Sequence, residues 1–296
     1  MKIGIIGGGS IGLLFAYYLA KQNDVTVYVK TEHQADLLTN KGVTLEQHNA
    51  SNTRKVQATT NPSSIIEEEL VLIAVKQYAL KEVIKCYKGL DIVPAIVFLQ
   101  NGMGHLEYIE KLNTPNILLG VVEHGALKVD DRKVIHTGIG KTKLAASRGD
   151  SKVITNVIHS TDKPAFNIEL IQEWYSMISE KLVVNAVINP LTGLYRVENG
   201  ELIQNQYFKE TMSEVFTEIT SVIEVDSEKM WSQVIQICKN TSMNRSSMLR
   251  DIEKGRKTEV DAILGYVLKQ AERKRVYLPI TSFLFNAIKG IEGRGS

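Results

Sequence analysis

The sequence predicts an α/β domain over residues 1–168 followed by an all-helical domain over residues 169–292. Three observations carry this prediction. Short Val- and Ile-rich runs alternate with helical patterns through the first half. A glycine-rich hexapeptide joins the first run to the first helix. From Leu170 onward the apolar spacing is helical almost throughout.

Taken in order, Ile3 to Ile6, Val25 to Val29, Leu70 to Val75 and Ala95 to Leu99 read as strands, too short for helices. Their apolar runs are nearly continuous, as in parallel strands buried on both faces. Ile11 to Lys21 reads as a helix, completing a β-α-β unit. Ile117 to Val122, Lys133 to His136 and Lys143 to Ala146 read as further strands, with Asp130-Asp131 in a turn. The character changes after Pro164, which sets the expected domain boundary near residue 168. Asn189-Pro190, Asn199-Gly200, Gly255 and Leu278-Pro279 interrupt the helices, and Pro190, lacking an amide hydrogen, is expected to end or kink its helix. Ile291 to Ser296 reads as a protease-site and cloning scar outside the fold, with Ile291 on its border.

Composition narrows the function. At 44% apolar and 23% charged residues, the 296-residue chain has the balance of a soluble globular protein. Its net charge of +2 calls for neither nucleic acid nor an anionic membrane as partner. Cys86 and Cys238 are isolated, so no disulfide framework or zinc site is expected, and a cytoplasmic location fits. No apolar run approaches a membrane span, and no signal-peptide core is present. The oligomeric state is left open, a homodimer included.

Gly7-Gly8-Gly9-Ser10-Ile11-Gly12 fits G-x-G-x-x-G directly after a strand and at the opening of a helix. Gly7 makes the tight turn, Gly9 lets a pyrophosphate approach the backbone, and Gly12 lets the helix pack on the strand. The helix N-terminus at Ser10 and Ile11 then faces the phosphates. This is the signature of a Rossmann-type dinucleotide-binding domain. The second strand ends in Tyr28-Val29-Lys30, where an NAD-binding domain usually offers a carboxylate; a cation there favours a 2′-phosphate, hence NADP. Glu32 lies beyond the strand end, and a solvated Lys30 is the plain alternative. Lys76 and Asn101 follow the third and fourth strands at the edge where open α/β sheets bind ligands, although each also suits a turn.

Lys181, Asn185 and Asn189 stand four residues apart in an otherwise apolar stretch. Steps of four drift only about 40° on a helix, so all three share one face. Buried ammonium and carboxamide groups need partners. Internal hydrogen bonds or a snorkelling lysine would supply them, but three in register suggest a common small polar ligand. Further on, Ser246-Ser247 suits a helix cap, and Thr258 with Asp261 resembles a capping box that puts Glu259 at a helix start. Spacing alone would not single out Ser247 or Glu259.

Assembled, the chain resembles the 2-dehydropantoate 2-reductase (ketopantoate reductase) family over nearly its whole length. The carriers are the glycine loop, Val75-Lys76-Gln77, Gln100-Asn101-Gly102-Met103-Gly104, the run from Lys181 through Asn185 and Asn189 to Thr192, and Ser246-Ser247-Met248-Leu249 through Thr258-Glu259-Val260-Asp261. The resemblance implies NADPH-dependent reduction of 2-dehydropantoate to (R)-pantoate, on the route to pantothenate and coenzyme A. It implies Lys181 as general acid and Glu259 as the contact for the substrate hydroxyl. Asn185, Asn189 and Ser247 hold the substrate, which is expected between the domains, while Lys76 and Asn101 border cofactor and substrate. Glu259 also borders the cofactor. Lys30 stands where the family often has arginine, which keeps the charge but loses the bidentate fork. Arg245 and Glu123, near motif positions, take no role. The rivals are a reductase of another branched 2-oxo acid giving a D-2-hydroxy acid, and a non-catalytic NADP-binding sensor.

Overall fold

The Ile-rich run Lys2–Ile6 (β1) lies in the middle of a sheet in the computed structural model, which describes residues 1–47, 50–161 and 163–293. Helix α1 (Ser10–Leu19) returns the chain to β2 (Asp24–Tyr28), parallel to β1. Helix α2 (Glu32–Lys41) leads to β3 (Val43–Gln47) and its antiparallel partner β4 (Ala50–Arg54), and β5 (Gln57–Thr59) then pairs with β2. On the other side of β1 lies β6 (Leu70–Ile73), from which α3 (Gln77–Cys86) carries the chain to β7 (Ala95–Phe98). The short α4 (Leu106–Ile109) precedes β8 (Asn116–Val122), parallel to β7. A hairpin of β9 (Gly125–Lys128) and β10 (Lys133–Gly138) follows, then β11 (Lys141–Arg148), α5 (Thr155–Ser160) and β12 (Asn167–Leu170).

Among the described residues the larger sheet runs β12-β11-β8-β7-β6-β1-β2-β5, and a smaller one runs β4-β3-β10-β9. Strands β5, β2, β1, β6, β7 and β8 are parallel, and β11 is antiparallel to β8. The chain leaves β1 in one direction to β2 and later returns to β6 on its other flank. That reversal is the topological switch point, and open α/β sheets bind ligands beyond the carboxyl ends of such strands.

The turn expected at Asp130-Asp131 is an aspartate turn: Asp130 Oδ1 accepts the amides of Arg132 at 2.9 Å and Lys133 at 2.8 Å. A buried polar chain ties α1 to the smaller sheet, with Tyr18 Oη 2.9 Å from His136 Nδ1 and His136 Nε2 3.2 Å from His124 Nδ1. Burial, helped by the neighbouring His136, pushes His124 down to about 4, so at neutral pH this chain carries no imidazolium on His124.

Two corrections to the sequence reading follow. Residue 168 falls inside β12, whose Ile168 pairs with Thr142 of β11, so the sheet unit continues to Met177. Asn101–Gly104 in turn groups with the helical unit that begins again at Ile178. Nor does the helix end at Pro190: α6 (Trp174–Tyr195) runs through it. Leu182 to Ile188 and Leu191 are buried, and that packing outweighs the one hydrogen bond proline removes.

The helical unit continues with α7 (Glu201–Gln204), α8 (Gln206–Val222), α9 (Ser227–Asn240), α10 (Ser247–Glu253), α11 (Val260–Lys274) and α12 (Pro279–Glu292). Their starts follow local chemistry: Asn205, Asp226 and Ser246 accept first-turn amides, and Pro279 sits where its missing N–H costs nothing. Ile291 and Glu292, read from the sequence as part of a scar, belong to α12. The rest of that segment from Arg294 lies outside the described residues.

Candidate active site

In the sheet unit, each glycine of the hexapeptide has its own steric reason. Gly7 has φ +115°, and a Cβ there would come within 2.9 Å of the Val75 side chain, so the loops after β1 and β6 touch. A Cβ on Gly12 would lie 1.8 Å from the Gly7 carbonyl oxygen, whereas one on Gly9 would meet nothing within 4 Å. The first turn of α1 carries no acidic residue and Gly9 supplies no side-chain cap. Backbone amides beside an open glycine, with no acidic residue in the first turn, fit a pyrophosphate. Gln100 Nε2 donates to Ile73 O at 2.7 Å and Val75 O at 3.0 Å, fixing the ends of β6 and β7 beside this loop. Lys76 is half-buried at the cap position of α3.

Lys30 lies just beyond β2 with its side chain 77% exposed and its Nζ 3.6 Å from Glu82. Glu32, the carboxylate that would argue for NAD, accepts a hydrogen bond from the Thr60 hydroxyl. Two residues that sequence reasoning missed brace the glycine loop. Gln34 Nε2 donates to Gly8 O at 3.0 Å and Asp131 O at 2.8 Å. Lys128 Nζ reaches the same Gly8 oxygen at 3.1 Å and Asp131 Oδ1 at 2.8 Å. Neither contact is local in sequence, so no pattern announced it.

In the helical unit, Lys181, Asn185 and Asn189 share one uninterrupted helix, α6, and hence one face. Lys181 is half-buried, and Asn185 and Asn189 are each 8% exposed. Thr192 returns to within about 20° of the Lys181 direction and extends the stripe. Its hydroxyl donates to Ser246 Oγ at 2.8 Å, and Ser246 Oγ accepts the Leu249 amide at 3.1 Å. This pins the start of α10, where Ser247 is exposed as the first helical residue, to the far end of the stripe.

Asn101 and Glu259, 158 residues apart, meet directly: Asn101 Nδ2 donates to Glu259 Oε2 at 2.9 Å. Glu259 is only 6% exposed. The approach is tight, because Gly102 has φ +78° and a Cβ there would lie 2.2 Å from Ala262 O in the first turn of α11. Glu259 occupies the cap position of α11, but its side chain caps nothing. The expected capping box does not form. Thr258 Oγ1 accepts the Val260 amide at 3.1 Å, Asp261 pairs with Lys289 at 3.0 Å, and the Thr258 amide donates to Glu292 at 2.7 Å. Asp261 is therefore drawn away from the role a capping box requires. Arg245 pairs with Glu253, and Glu123 with Lys143 at 3.1 Å, which accounts for both residues left without a role. Among the described residues no cluster suits a metal ion, and no helix is long and apolar enough to cross a membrane.

A dinucleotide loop on a switched parallel sheet, in a chain whose helical unit carries this Lys-Asn-Asn stripe, defines an oxidoreductase. The description "Ketopantoate reductase PanE/ApbA" matches residues 3–149, and "Ketopantoate reductase PanE/ApbA C terminal" matches residues 173–292. The chain belongs to the ketopantoate reductase family. It is 38% identical to the 2-dehydropantoate 2-reductase of Bacillus subtilis (strain 168) over 294 residues, 99% of this chain and 98% of that protein. The crystal structure of the probable 2-dehydropantoate 2-reductase panE from Bacillus subtilis superposes with a TM-score of 0.91 at 37% identity, covering 98% of this chain and 100% of that one. D-mandelate dehydrogenase, solved with NADH and anilino(oxo)acetate, shares the fold at a TM-score of 0.86 and 21% identity, over 100% of this chain and 99% of that one.

Proposed function

We propose that this chain reduces 2-dehydropantoate to (R)-pantoate with NADPH. The observation that carries the reading is Glu259, buried yet unused as a helix cap and oriented by Asn101, in the same unit as the Lys181 stripe. NADPH, when bound at the glycine loop, supplies the hydride, which leaves the protein to bind, orient and protonate. Reduction builds negative charge on the ketone oxygen. The Lys181 ammonium stabilises that oxygen and then delivers its proton. Asn185, Asn189 and Ser247 offer neutral donors to the substrate carboxylate, and Glu259 accepts from the terminal hydroxyl. The cytoplasm, where both free thiols persist, is the setting that suits this reading.

An NADPH-oxidation assay with ketopantoate beside 2-oxo-isovalerate and phenyl-substituted 2-oxo acids tests the reading. Ketopantoate is expected to give the highest kcat/KM. A higher value for an oxo acid lacking the hydroxymethyl group would assign the protein to a different 2-hydroxy acid, and absence of turnover on every substrate would make it a sensor.

Lys30 sets the cofactor expectation. Its ammonium pairs with the exposed Glu82 at 3.6 Å, a weak contact that a 2′-phosphate displaces. A charged hydrogen bond worth roughly 1.5–3 kcal/mol favours NADPH over NADH by about 10–100-fold. Lys30→Ala is expected to erase most of that preference while leaving NADH kinetics nearly intact. Equal use of both cofactors by the unmodified protein would refute it.

A further inference from the structure

Glu292 closes the last turn of α12, with a side chain only 11% exposed. One of its oxygens, Oε1, accepts both the Thr258 amide at 2.7 Å and the Thr258 hydroxyl at 2.6 Å. The other, Oε2, lies 3.2 Å from Lys289 Nζ, and the same ammonium holds Asp261 Oδ2 at 3.0 Å. Thr258 Oγ1 in turn accepts the Val260 amide at 3.1 Å. Residues 258, 260 and 261 are thus all held, directly or through one neighbour, by the end of α12. The residue they enclose is Glu259.

We propose that Glu292 is a positioning residue for Glu259. The proposal rests on the reading of Glu259 as the group that accepts the substrate's hydroxyl. A carboxylate at a helix cap ordinarily turns back onto the free amides of its own first turn. Here the Ala262 amide, one of the two that such a cap could reach, goes to the Glu259 carbonyl, and the Val260 amide before it goes to Thr258, whose hydroxyl hydrogen is in turn drawn off by Glu292. With the hydroxyl proton directed to Glu292, Thr258 presents a lone pair to Val260. The Glu259 side chain makes no cap bond, and its Oε2 accepts from Asn101 at 2.9 Å. Asn101 orients that carboxylate directly, while Glu292 sets the backbone from which it projects. A shift of about 1 Å in such a group is enough to cost on the order of 10²-fold in rate.

The test is the ratio of kcat/KM for ketopantoate to that for 2-oxo-isovalerate, measured in the full chain. Glu292→Ala is expected to lower this ratio by about 10-fold, within the range set by one charged hydrogen bond. Glu292→Gln keeps an oxygen that accepts both Thr258 bonds and is expected to restore most of the ratio. In a Glu259→Ala background, Glu292→Ala should lower the ratio no further, because a residue acting through Glu259 has nothing left to position. An equal loss on both substrates, or the same fall in both backgrounds, would overturn the proposal. If Glu292→Ala does not fold, Thr258→Val, which removes the hydroxyl without changing bulk, must lower the ratio; an unchanged ratio would count against Glu292. Should Glu259→Ala itself leave the ratio unchanged, the hydroxyl reading fails and the positioning role with it, a pattern distinct from failure at Glu292 alone.

Discussion

Lys181→Ala is expected to lower kcat by ~10²–10⁴-fold, the usual contribution of a positioned general acid. The lysine stands on α6, half-buried, next to Leu182, Val183 and Val184, each at most 5% exposed. Its ammonium shares a helix face with two nearly buried carboxamides, Asn185 and Asn189. In the proposed role, removing it takes away both the stabilisation of the developing alkoxide and the proton that completes the reaction. The KM for NADPH should barely change, because the lysine belongs to the helical unit and the glycine loop to the other. Steady-state kinetics alongside a thermal melt separate the two explanations. Near-normal turnover in a folded variant would make Lys181 a packing residue, and lost turnover with a collapsed melt would call for Lys181→Met, which keeps the stem.

Glu259→Ala carries the second large effect. A buried acceptor rewards a substrate hydroxyl and is left unpaired when the substrate lacks one. The unmodified protein should therefore prefer ketopantoate to 2-oxo-isovalerate, which has the same skeleton without the hydroxymethyl group. The alanine variant is expected to lose activity on ketopantoate and to compress the preference by about 10–100-fold. The ratio of kcat/KM values reports differential transition-state binding, so general damage cancels from it. An equal fall on both substrates would leave Glu259 acting through site geometry alone, and the ketopantoate assignment would lose its main physical support.

The central strands were legible because sheets buried on both faces require continuous apolar runs, and Ile3 to Ile6 and Ala95 to Phe98 show them plainly. The outer strands were not. Ala50–Arg54 pairs through its backbone while its side chains remain largely exposed, so its sequence carries no strand pattern. β5 and β12 are sheet-edge strands, short and only partly buried, and they were missed for the same reason. That the helix runs on past Pro190 could not be read, because a proline's local penalty is visible in sequence and the packing that absorbs it is not. At the site, glycine spacing and the four-residue stripe could be read from sequence because each obeys a local period. Gln34, Lys128 and Glu292 could not, since they act on backbone atoms brought near only by the fold. Glu292 also sits in a segment whose composition resembled an appended tail.

The short loop from Asn101 to Gly104 departs from the sheet unit and returns to it, yet it groups with the helices. A chimaera joining residues 1–177 of one relative to the remainder of another would carry this loop with the donated half. The donor's residue at 101 would then face a recipient carboxylate at 259, and the glycine at 102 would have to clear a foreign carbonyl at 262. Exchanging cofactor halves between relatives is therefore not a neutral graft: unless the loop is swapped back, the exchange also replaces the partner of the buried Glu259 carboxylate.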